Sequence, residues 1–322
     1  MTDFDSNELT SYIPNHFGYG GLDRDVFNRE NEDFIDSISR TSHTRIVLVW
    51  RSKNLFVECG GLNKKPESLF LSPFESKEFI KICKNKVYLG KQSYKDTQIP
   101  YLAIDISELD ELKIKNILPS KGKFYNLREI SPLIDGIEGS ILAYARAIMF
   151  WHYRNGFCSV CGSITKITKS GHQRNCTNKS CASFHFPRTD PAVIMLVIGD
   201  EKVLLGRQKI WPEGLYSTLA GFVEPGETIE HAVAREVYEE SGLIVKNITY
   251  KYSQPWPFPS SLMLGFTALA QTKNIKYNDS EIEDAKWFSR EEILNFEKSK
   301  KFLPMKLSVS RRLIEDWLHI SS

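Results

Sequence analysis

The sequence predicts an α/β protein of the α+β type, with two larger domains joined by a small cysteine-rich module. Three observations lead to this prediction. Short β-like runs recur through the N-terminal third, strands and helices are interspersed after residue 190, and four of the six cysteines cluster between these regions. With 322 residues, 41% hydrophobic and 25% charged, the chain has the composition of an ordinary globular protein.

The N-terminal region, residues 1–136, is expected to form a mixed α/β domain. The runs "RIVLVW", "NLFVE", "VYLG" and "YLAIDI" are typical of strands, and no chemical motif accompanies them. Residues 140–155 have a broad apolar face ending at Gly156, which predicts a helix. We assign 137–155 to a connecting helix, and expect two C-terminal helices near 290–297 and 305–318.

Composition also bounds the partners and the compartment. The net charge of +2 gives no bulk field for nucleic acid or membrane surfaces. The longest apolar run, 192–198, is too short to span a bilayer, and the N-terminus lacks the features of a secretory signal. We therefore expect no membrane partner and a reducing, cytoplasmic compartment.

The four clustered cysteines form two pairs, Cys158-x2-Cys161 and Cys176-x4-Cys181, separated by fourteen residues. Two such turns can bring four thiolates to one tetrahedral Zn²⁺, so residues 156–187 are predicted to be a zinc ribbon. A complete Cys₄ shell leaves no position for substrate, which makes this single zinc structural. Two disulfides, disfavoured by a reducing compartment, and four unlinked thiols are the alternatives.

A glutamate-rich segment, residues 221–243, reads "GFVEPGETIEHAVAREVYEESGL". Thr228 is a suitable N-cap and Gly242 a suitable C-terminal stop for a helix. At about 100° per residue, Glu236 and Glu240 fall in the apolar stripe of this helix. Because an uncompensated buried carboxylate is very costly, both side chains need a partner.

Bound cations are the predicted partner of these carboxylates. Glu239 lies at the flank of the stripe, where Arg235 could pair with it at i, i+4, but Arg235 is expected to face away from Glu236 and Glu240. Oxygen ligands of this kind suit Mg²⁺ and Mn²⁺, and such ions can in turn bind a diphosphate. A solvated acidic helix face is the alternative.

These residues resemble the Nudix box, G-x5-E-x7-R-E-U-x-E-E-x-G-U, with U aliphatic. Every position is filled, by Gly221, Glu227, Arg235, Glu236, Val237, Glu239, Glu240, Gly242 and Leu243. The resemblance implies a Nudix α/β/α sandwich over residues 188–322. It also implies hydrolysis of a nucleoside diphosphate linked to another moiety.

The resemblance further implies a role for each matching position. Glu236 and Glu240 would be metal ligands, and Glu239 a ligand or the catalytic base. The carbonyl of Ala220 would join the metal shell, as would Glu281, with Glu283 as its rival on the same strand face. Structural positions of the box are Gly221, Glu227, Arg235 and Gly242.

"SQPWPFPSS", residues 253–261, is stiff and aromatic. Trp256 and Phe258 can stack a ring, while Gln254, Ser260 and Ser261 can hydrogen-bond ribose or carboxamide edges. The segment resembles the "SQPWPFPxS" motif of the NADH pyrophosphatases, a Nudix subfamily with a zinc ribbon. The complete predicted substrate set is Phe186, Gln254, Pro255, Trp256, Pro257, Phe258, Pro259, Ser260, Ser261 and Ser310.

This resemblance implies hydrolysis of NADH, and of NAD⁺, to AMP and nicotinamide mononucleotide, with removal of NAD caps from RNA as a further activity. It also implies a homodimer. Three departures from the family are the x4 spacing of the second cysteine pair, where many bacterial members have x2, Phe186, where some members have Tyr, and Ser310, where an Ala can contact substrate. Rival functions are a Nudix hydrolase for another substrate such as ADP-ribose, and a zinc-ribbon nucleic-acid-binding regulator with an inactive Nudix module.

Overall fold

The computed structural model describes residues 13–31, 33–57, 65–118, 122–276 and 282–319. The chain divides into two compact units. Unit 1 comprises Met1–Ile13, Phe17–Thr189 and Trp256–Ser260, and unit 2 comprises Pro14–His16, Asp190–Pro255 and Ser261–Ser322. The domain boundaries expected from the sequence stay predictions.

Unit 1 contains a five-stranded sheet in the order β3-β4-β1-β2-β5. Strands β1 and β4 are parallel, and the other neighbours are antiparallel. The four strands predicted for this region are confirmed. The strand bounds are β1 Arg45–Trp50, β2 Lys53–Val57, β3 Lys86–Tyr94, β4 Thr97–Asp105 and β5 Gly122–Tyr125.

The described part of the same unit contains the α-helices α1 Phe34–Ile38, α2 Lys77–Ile82, α3 Glu111–Ile117, α4 Leu127–Ile130 and α5 Gly136–Arg154. The predicted connecting helix is α5, which begins four residues before the predicted helical run. The reason is Asp135, whose carboxylate accepts hydrogen bonds from the backbone N–H groups of Ile137 and Glu138. The buried face of α5 includes Ile141, Leu142 and Ala145.

A small antiparallel sheet follows, formed by β6 Thr165–Thr168, β7 Gln173–Cys176 and β8 Phe184–His185. His152 of α5 joins the helix to this sheet. Its Nε2–H donates to the carbonyl of Gly171, and Arg174 donates to its Nδ1, both at 2.8 Å. The helix and the small sheet therefore share a buried polar contact.

Unit 2 is built on a six-stranded sheet in the order β12-β13-β9-β10-β14, with β11 paired to β9. Strands β9 and β13 are parallel. Its strands are β9 Asp190–Gly199, β10 Lys202–Arg207, β11 Leu219–Phe222, β12 Val245–Trp256, β13 Ser261–Ala270 and β14 Asp284–Ser289. Its helices are α6 Ile229–Ser241, α7 Arg290–Leu294 and α8 Val309–His319.

The period of two along β9 distributes its side chains between two cores. Val193 and Met195 pack in the cluster that contains Val233 of α6. Ile194 packs in the cluster that contains Leu313 of α8. Helices therefore cover both faces of a mixed sheet, which confirms the predicted α/β/α sandwich.

Within the described ranges, no helix is both long enough and apolar enough to cross a membrane.

Candidate active site and metal centre

Helix α6 carries the glutamates and has the predicted ends. Thr228 accepts a hydrogen bond from the backbone N–H of His231, and Gly242 adopts a left-handed φ of 68°. Glu236 and Glu240 are 9% and 6% exposed, whereas the Glu239 side chain is 55% exposed. The predicted burial of two carboxylates in the apolar stripe is confirmed, with the third at its edge.

The Glu236 carboxylate lies directly against the backbone of Gly221 in β11. A Cβ at residue 221 would stand 1.8 Å from the Glu236 carboxylate carbon and 1.9 Å from its Oε1. No side chain fits in that space, so glycine is required here for close approach. The spacing between the first glycine and this glutamate of the box therefore has a direct steric cause.

Arg235 connects three of the glutamates. It forms two hydrogen bonds with Glu227, of 2.6 and 3.1 Å, and its Nη1 lies 2.8 Å from Glu236 Oε1 and 2.9 Å from Glu239 Oε2. Its Nη2 also donates to the carbonyl of Phe222. The prediction that Arg235 faces away from Glu236 is wrong, because its long aliphatic side chain lets the guanidinium group reach the Glu236 carboxylate.

The ion pair between Glu227 and Arg235 shifts the pKa values of both residues. Hydrogen bonding from Arg235 holds the pKa of Glu227 below its usual range, and Glu227 in turn raises the pKa of Arg235. The backbone N–H of Glu224 donates to Glu227 at 2.7 Å, which fixes the loop before α6. Loop, helix and β11 are thus tied together around Glu236.

The donor set of α6 suits a hard divalent cation, because Glu236, Glu239 and Glu240 offer carboxylate oxygens on successive turns. Ala220 precedes Gly221 in β11 and pairs with Ile194. Among the described residues the glutamate oxygens do not converge as closely as the cysteine sulfurs do, and Arg235 forms ion pairs with Glu236 and Glu239.

Glu281 lies outside the described residues, so its predicted ligand role stays a prediction. Its rival Glu283 is described and forms an ion pair with Arg207. Glu283 is therefore engaged with a cation on the neighbouring strand β10.

The four cysteines meet at one point. Their sulfur atoms all lie within 4.8 Å of one another, with Cys158 and Cys181 at 3.8 Å and Cys161 and Cys176 at 3.4 Å. A tetrahedral Zn²⁺ with Zn–S bonds of about 2.3 Å needs sulfurs about 3.8 Å apart. The cluster is therefore compatible with zinc.

Two tight turns produce this convergence. Gly162 has a φ of 74° and its N–H donates to the carbonyl of Cys158 at 2.9 Å. In the second pair, the N–H groups of Cys181 and Ala182 both donate to the carbonyl of Asn178. The two extra residues of the x4 spacing are accommodated in this turn.

Without a metal, the cysteine thiols differ in pKa. Hydrogen bonds from Ser163 lower the pKa of Cys161 to about 6, whereas burial raises the pKa of Cys176 to about 12. A zinc ion would bind both as thiolates.

The first part of the segment 253–261, as far as Trp256, belongs to strand β12. Pro255 is accommodated because β12 is the last strand of its sheet and the proline is its penultimate residue. Trp256 and Phe258 belong to unit 1, where their rings meet edge to face with centroids 5.2 Å apart. Phe17 presents its ring at 6.2 Å to Trp256 and 5.7 Å to Phe258.

Two residues predicted to contact substrate, Gln254 and Ser310, are buried and hydrogen-bonded within the protein. Gln254 is fully buried, and its amide donates to the carbonyls of His16 and Leu307 and accepts from the N–H of Val309. The side chain of Gln254 therefore offers substrate no donor or acceptor, which corrects the prediction.

Ser310 is likewise corrected. It is 1% exposed, and its hydroxyl bonds Ser217 Oγ at 2.8 Å and Thr218 Oγ1 at 2.9 Å. A polar residue at the start of α8 is thereby satisfied within unit 2.

The other predicted contacts differ in accessibility. Phe186 is 63% exposed. Of the remaining residues, Pro257 is buried and Pro259 is exposed. Partly buried positions are Pro255, Ser260 and Ser261.

Two arginines near the aromatic pair were missed. The guanidinium carbon of Arg128 lies 5.6 Å from the Trp256 ring centroid, and that of Arg146 lies 4.8 Å from the Phe258 centroid. A cation inside the apolar run "AYARAIMF" was the available signal for Arg146.

Comparison with known proteins supplies the family. A NUDIX domain matches residues 188–306, and an NADH pyrophosphatase-like rudimentary NUDIX domain matches residues 43–151. A Macaca fascicularis protein named NAD-capped RNA hydrolase NUDT12 is 36% identical, over 99% of this chain and 76% of that one. A Schizosaccharomyces pombe NAD-capped RNA hydrolase is 39% identical, over 72% and 71%.

A Homo sapiens protein named NAD-capped RNA hydrolase NUDT12 is 47% identical over 57% of this chain, and the match spans 42% of that protein's length. The first matched domain contains the Nudix box on α6, and the second contains the five-stranded sheet of unit 1. The chain belongs to the NADH pyrophosphatase-type subfamily of the Nudix hydrolases.

Proposed function

We propose that this protein is a metal-dependent NAD(H) diphosphatase that releases AMP and nicotinamide mononucleotide, either NMN or NMNH. The arrangement of α6 carries the proposal, with Glu236 and Glu240 buried on one side and Glu239 exposed at the flank. A structural acidic helix would not need to bury two carboxylates.

The proposed ligands of Mg²⁺ or Mn²⁺ are Glu236, Glu239 and Glu240, with the Ala220 carbonyl and Glu281 completing the shell. When bound, such ions neutralise diphosphate oxygens and lower the pKa of a water molecule. Glu239, the accessible carboxylate, would be either a further ligand or the base that accepts the proton of the water whose oxygen attacks phosphorus. The bond to the bridging oxygen breaks, and the second phosphate leaves.

The other box residues hold these groups in place. Glu227 and Arg235 tie the loop to α6, and Gly221 leaves room for the Glu236 carboxylate. Trp256 and Phe258 supply an aromatic wall for one ring of the dinucleotide. Phe186, Pro255, Pro257, Pro259, Ser260 and Ser261 are proposed as further substrate contacts.

One structural zinc per chain is proposed at the four cysteines, where it stabilises the ribbon. We also propose a homodimer in the cytoplasm, whose reducing conditions keep the four thiols available for the metal.

NAD-capped RNA is a second candidate substrate. It is favoured by the relatives from macaque and Schizosaccharomyces pombe, which are both named NAD-capped RNA hydrolases. The same diphosphate bond would be cleaved, with the RNA continuing from the adenosine.

Zinc-loaded protein incubated with Mg²⁺ or Mn²⁺ and NADH, NAD⁺, ADP-ribose or NAD-capped RNA tests the proposal, with products identified by mass spectrometry. The expected products from NADH are AMP and NMNH in equal amounts. Glu240→Gln protein is the matched control, since it keeps the fold and side-chain volume. Cleavage of ADP-ribose alone would assign another substrate, and no cleavage by any preparation would favour the nucleic-acid-binding regulator.

A further inference from the structure

Unit 1 has an open cavity of about 380 Å³ at one edge of its five-stranded sheet. Strands β1 and β4 are parallel, so their carboxyl ends meet at this edge. The volume lies within the range of about 300–1,000 Å³ that is typical of small-molecule sites. The lining includes Arg51 and Ser52 in the turn between β1 and β2, Asp105 at the end of β4, and Phe150 and Tyr153 in the last turns of α5.

The turn that carries Arg51 is fixed to the end of β4. The backbone N–H of Arg51 donates to Ser107 Oγ at 2.7 Å, and Ser107 donates from its own N–H and Oγ–H to Asp105 Oδ1 at 3.0 and 2.5 Å. The Arg51 guanidinium carbon lies 4.9 Å from the centroid of the Trp50 ring. Within the described ranges no carboxylate forms an ion pair with Arg51, so its exposed guanidinium is available to an anion.

The cavity also offers an acceptor and two aromatic rings. Asp105 Oδ2 has no hydrogen-bond partner in the part of the chain that the structure describes. Phe150 and Tyr153 are three residues apart on α5 and therefore lie on one side of the helix. Tyr153 is 74% exposed, whereas the neighbouring lining residue Met149 is buried. A cation, a carboxylate oxygen and aromatic surface are thus brought together around one space.

We propose that this cavity is a binding site for a nucleoside monophosphate. Arg51 would bind the phosphate, Phe150 and Tyr153 would stack on the base, and Asp105 Oδ2 would accept a hydrogen bond from a ribose hydroxyl. A free phosphate would make no use of the rings, and a neutral aromatic molecule would make no use of the guanidinium. The inference goes beyond the proposed function and does not depend on it, because all of these residues belong to unit 1 and none to the Nudix box.

Calorimetric titration of the full-length, zinc-loaded protein with AMP and with adenosine tests the phosphate contact. Omitting Mg²⁺ and Mn²⁺ suppresses binding at the glutamates of α6. Wild type should bind AMP about tenfold more tightly than adenosine, as expected for a charge-assisted contact. Arg51→Gln should bring this ratio to within about threefold of unity, with adenosine affinity unchanged. Lys53→Gln is the matched control, because Lys53 lies over the same Trp50 ring at 5.8 Å without lining the cavity, and it should keep the ratio.

The aromatic contact is tested in the same way. Tyr153→Ala should weaken AMP and adenosine alike, by about tenfold, and leave the affinity for ribose 5-phosphate unchanged, because that ligand has no base to stack. Tyr153→Phe keeps the ring and should bind AMP as wild type does. Loss of AMP binding in Arg51→Gln with full binding in Tyr153→Ala would show a site for phosphate alone and overturn the nucleoside assignment.

A measurement on the wild type keeps the inference testable if a variant fails to fold. AMP should shift the indole N–H resonance of Trp50, whose ring lies beside Arg51, and adenosine should shift it less. No shift of this resonance, an AMP to adenosine ratio unchanged in Arg51→Gln, or no AMP binding with a Kd below about 1 mM would each overturn the inference. Absence of NADH hydrolysis would contradict the proposed function alone, because binding is measured here without turnover.

Discussion

Replacing Gly221 with alanine should strongly impair catalysis while leaving the fold intact. The new Cβ would stand 1.8 Å from the carboxylate carbon of Glu236, where an ordinary carbon contact needs about 3.5 Å. The carboxylate must therefore retreat by about 1.5 Å or more. Because it is the end of a flexible side chain, it can do so without displacing backbone, at a cost of about 1 kcal/mol in unfolding free energy.

A metal ligand displaced by this distance no longer supports the reaction, so kcat for NADH should fall by about a hundredfold or more. The assay is steady-state hydrolysis at saturating Mg²⁺, with thermal melting in parallel. Gly156→Ala is the control, because a Cβ at that position meets nothing within 4 Å. Wild-type turnover by Gly221→Ala would refute the assignment of Glu236, and an unfolded variant would refute the claim that its side chain can yield.

Three further predictions follow from the metal sites and from a buried histidine. Glu240→Gln should lower kcat at least about a hundredfold with zinc content unchanged, and near-normal turnover at saturating Mg²⁺ would contradict the ligand assignment. Cys176→Ser should lower zinc content and melting temperature together, whereas zinc loss at full thermal stability would show that the metal does not stabilise the ribbon. Desolvation lowers the pKa of His152 to about 3, so the unfolded chain binds more protons below about pH 6.5, and the free energy of unfolding should fall by about 1 kcal/mol per pH unit towards acid. Denaturant titrations of His152→Asn should show a shallower pH slope than wild type, and equal slopes would exclude this histidine as a cause.

Local signals predicted the elements that carry the chemistry. The capping residues Thr228 and Gly242 and the period of the apolar side chains located α6 and its inward glutamates. Cysteine spacing located the four sulfurs that converge in the ribbon. Each of these features depends on residues that are close together in the chain, and such local patterns can be recognised in a sequence.

Contacts between distant residues were not predictable in the same way. Gln254 and Ser310 are polar residues in motifs, and nothing local indicates that Leu307 and Val309, or Ser217 and Thr218, satisfy them. The reach of Arg235 to Glu236 depends on a side-chain conformation that a helical wheel does not contain. Asp135 before α5 was a readable capping signal, and it would have corrected the start of that helix.

The most direct test of the central claim is the metal dependence of NADH cleavage by protein whose zinc is retained. After removal of loosely bound divalent ions, the protein should show zinc at one equivalent per chain and no turnover. Adding Mg²⁺ or Mn²⁺ should restore release of AMP and NMNH, and Glu236→Gln and Glu240→Gln should weaken that response. Full turnover without added metal, or a wild-type metal response in both variants, would contradict a metal centre on α6.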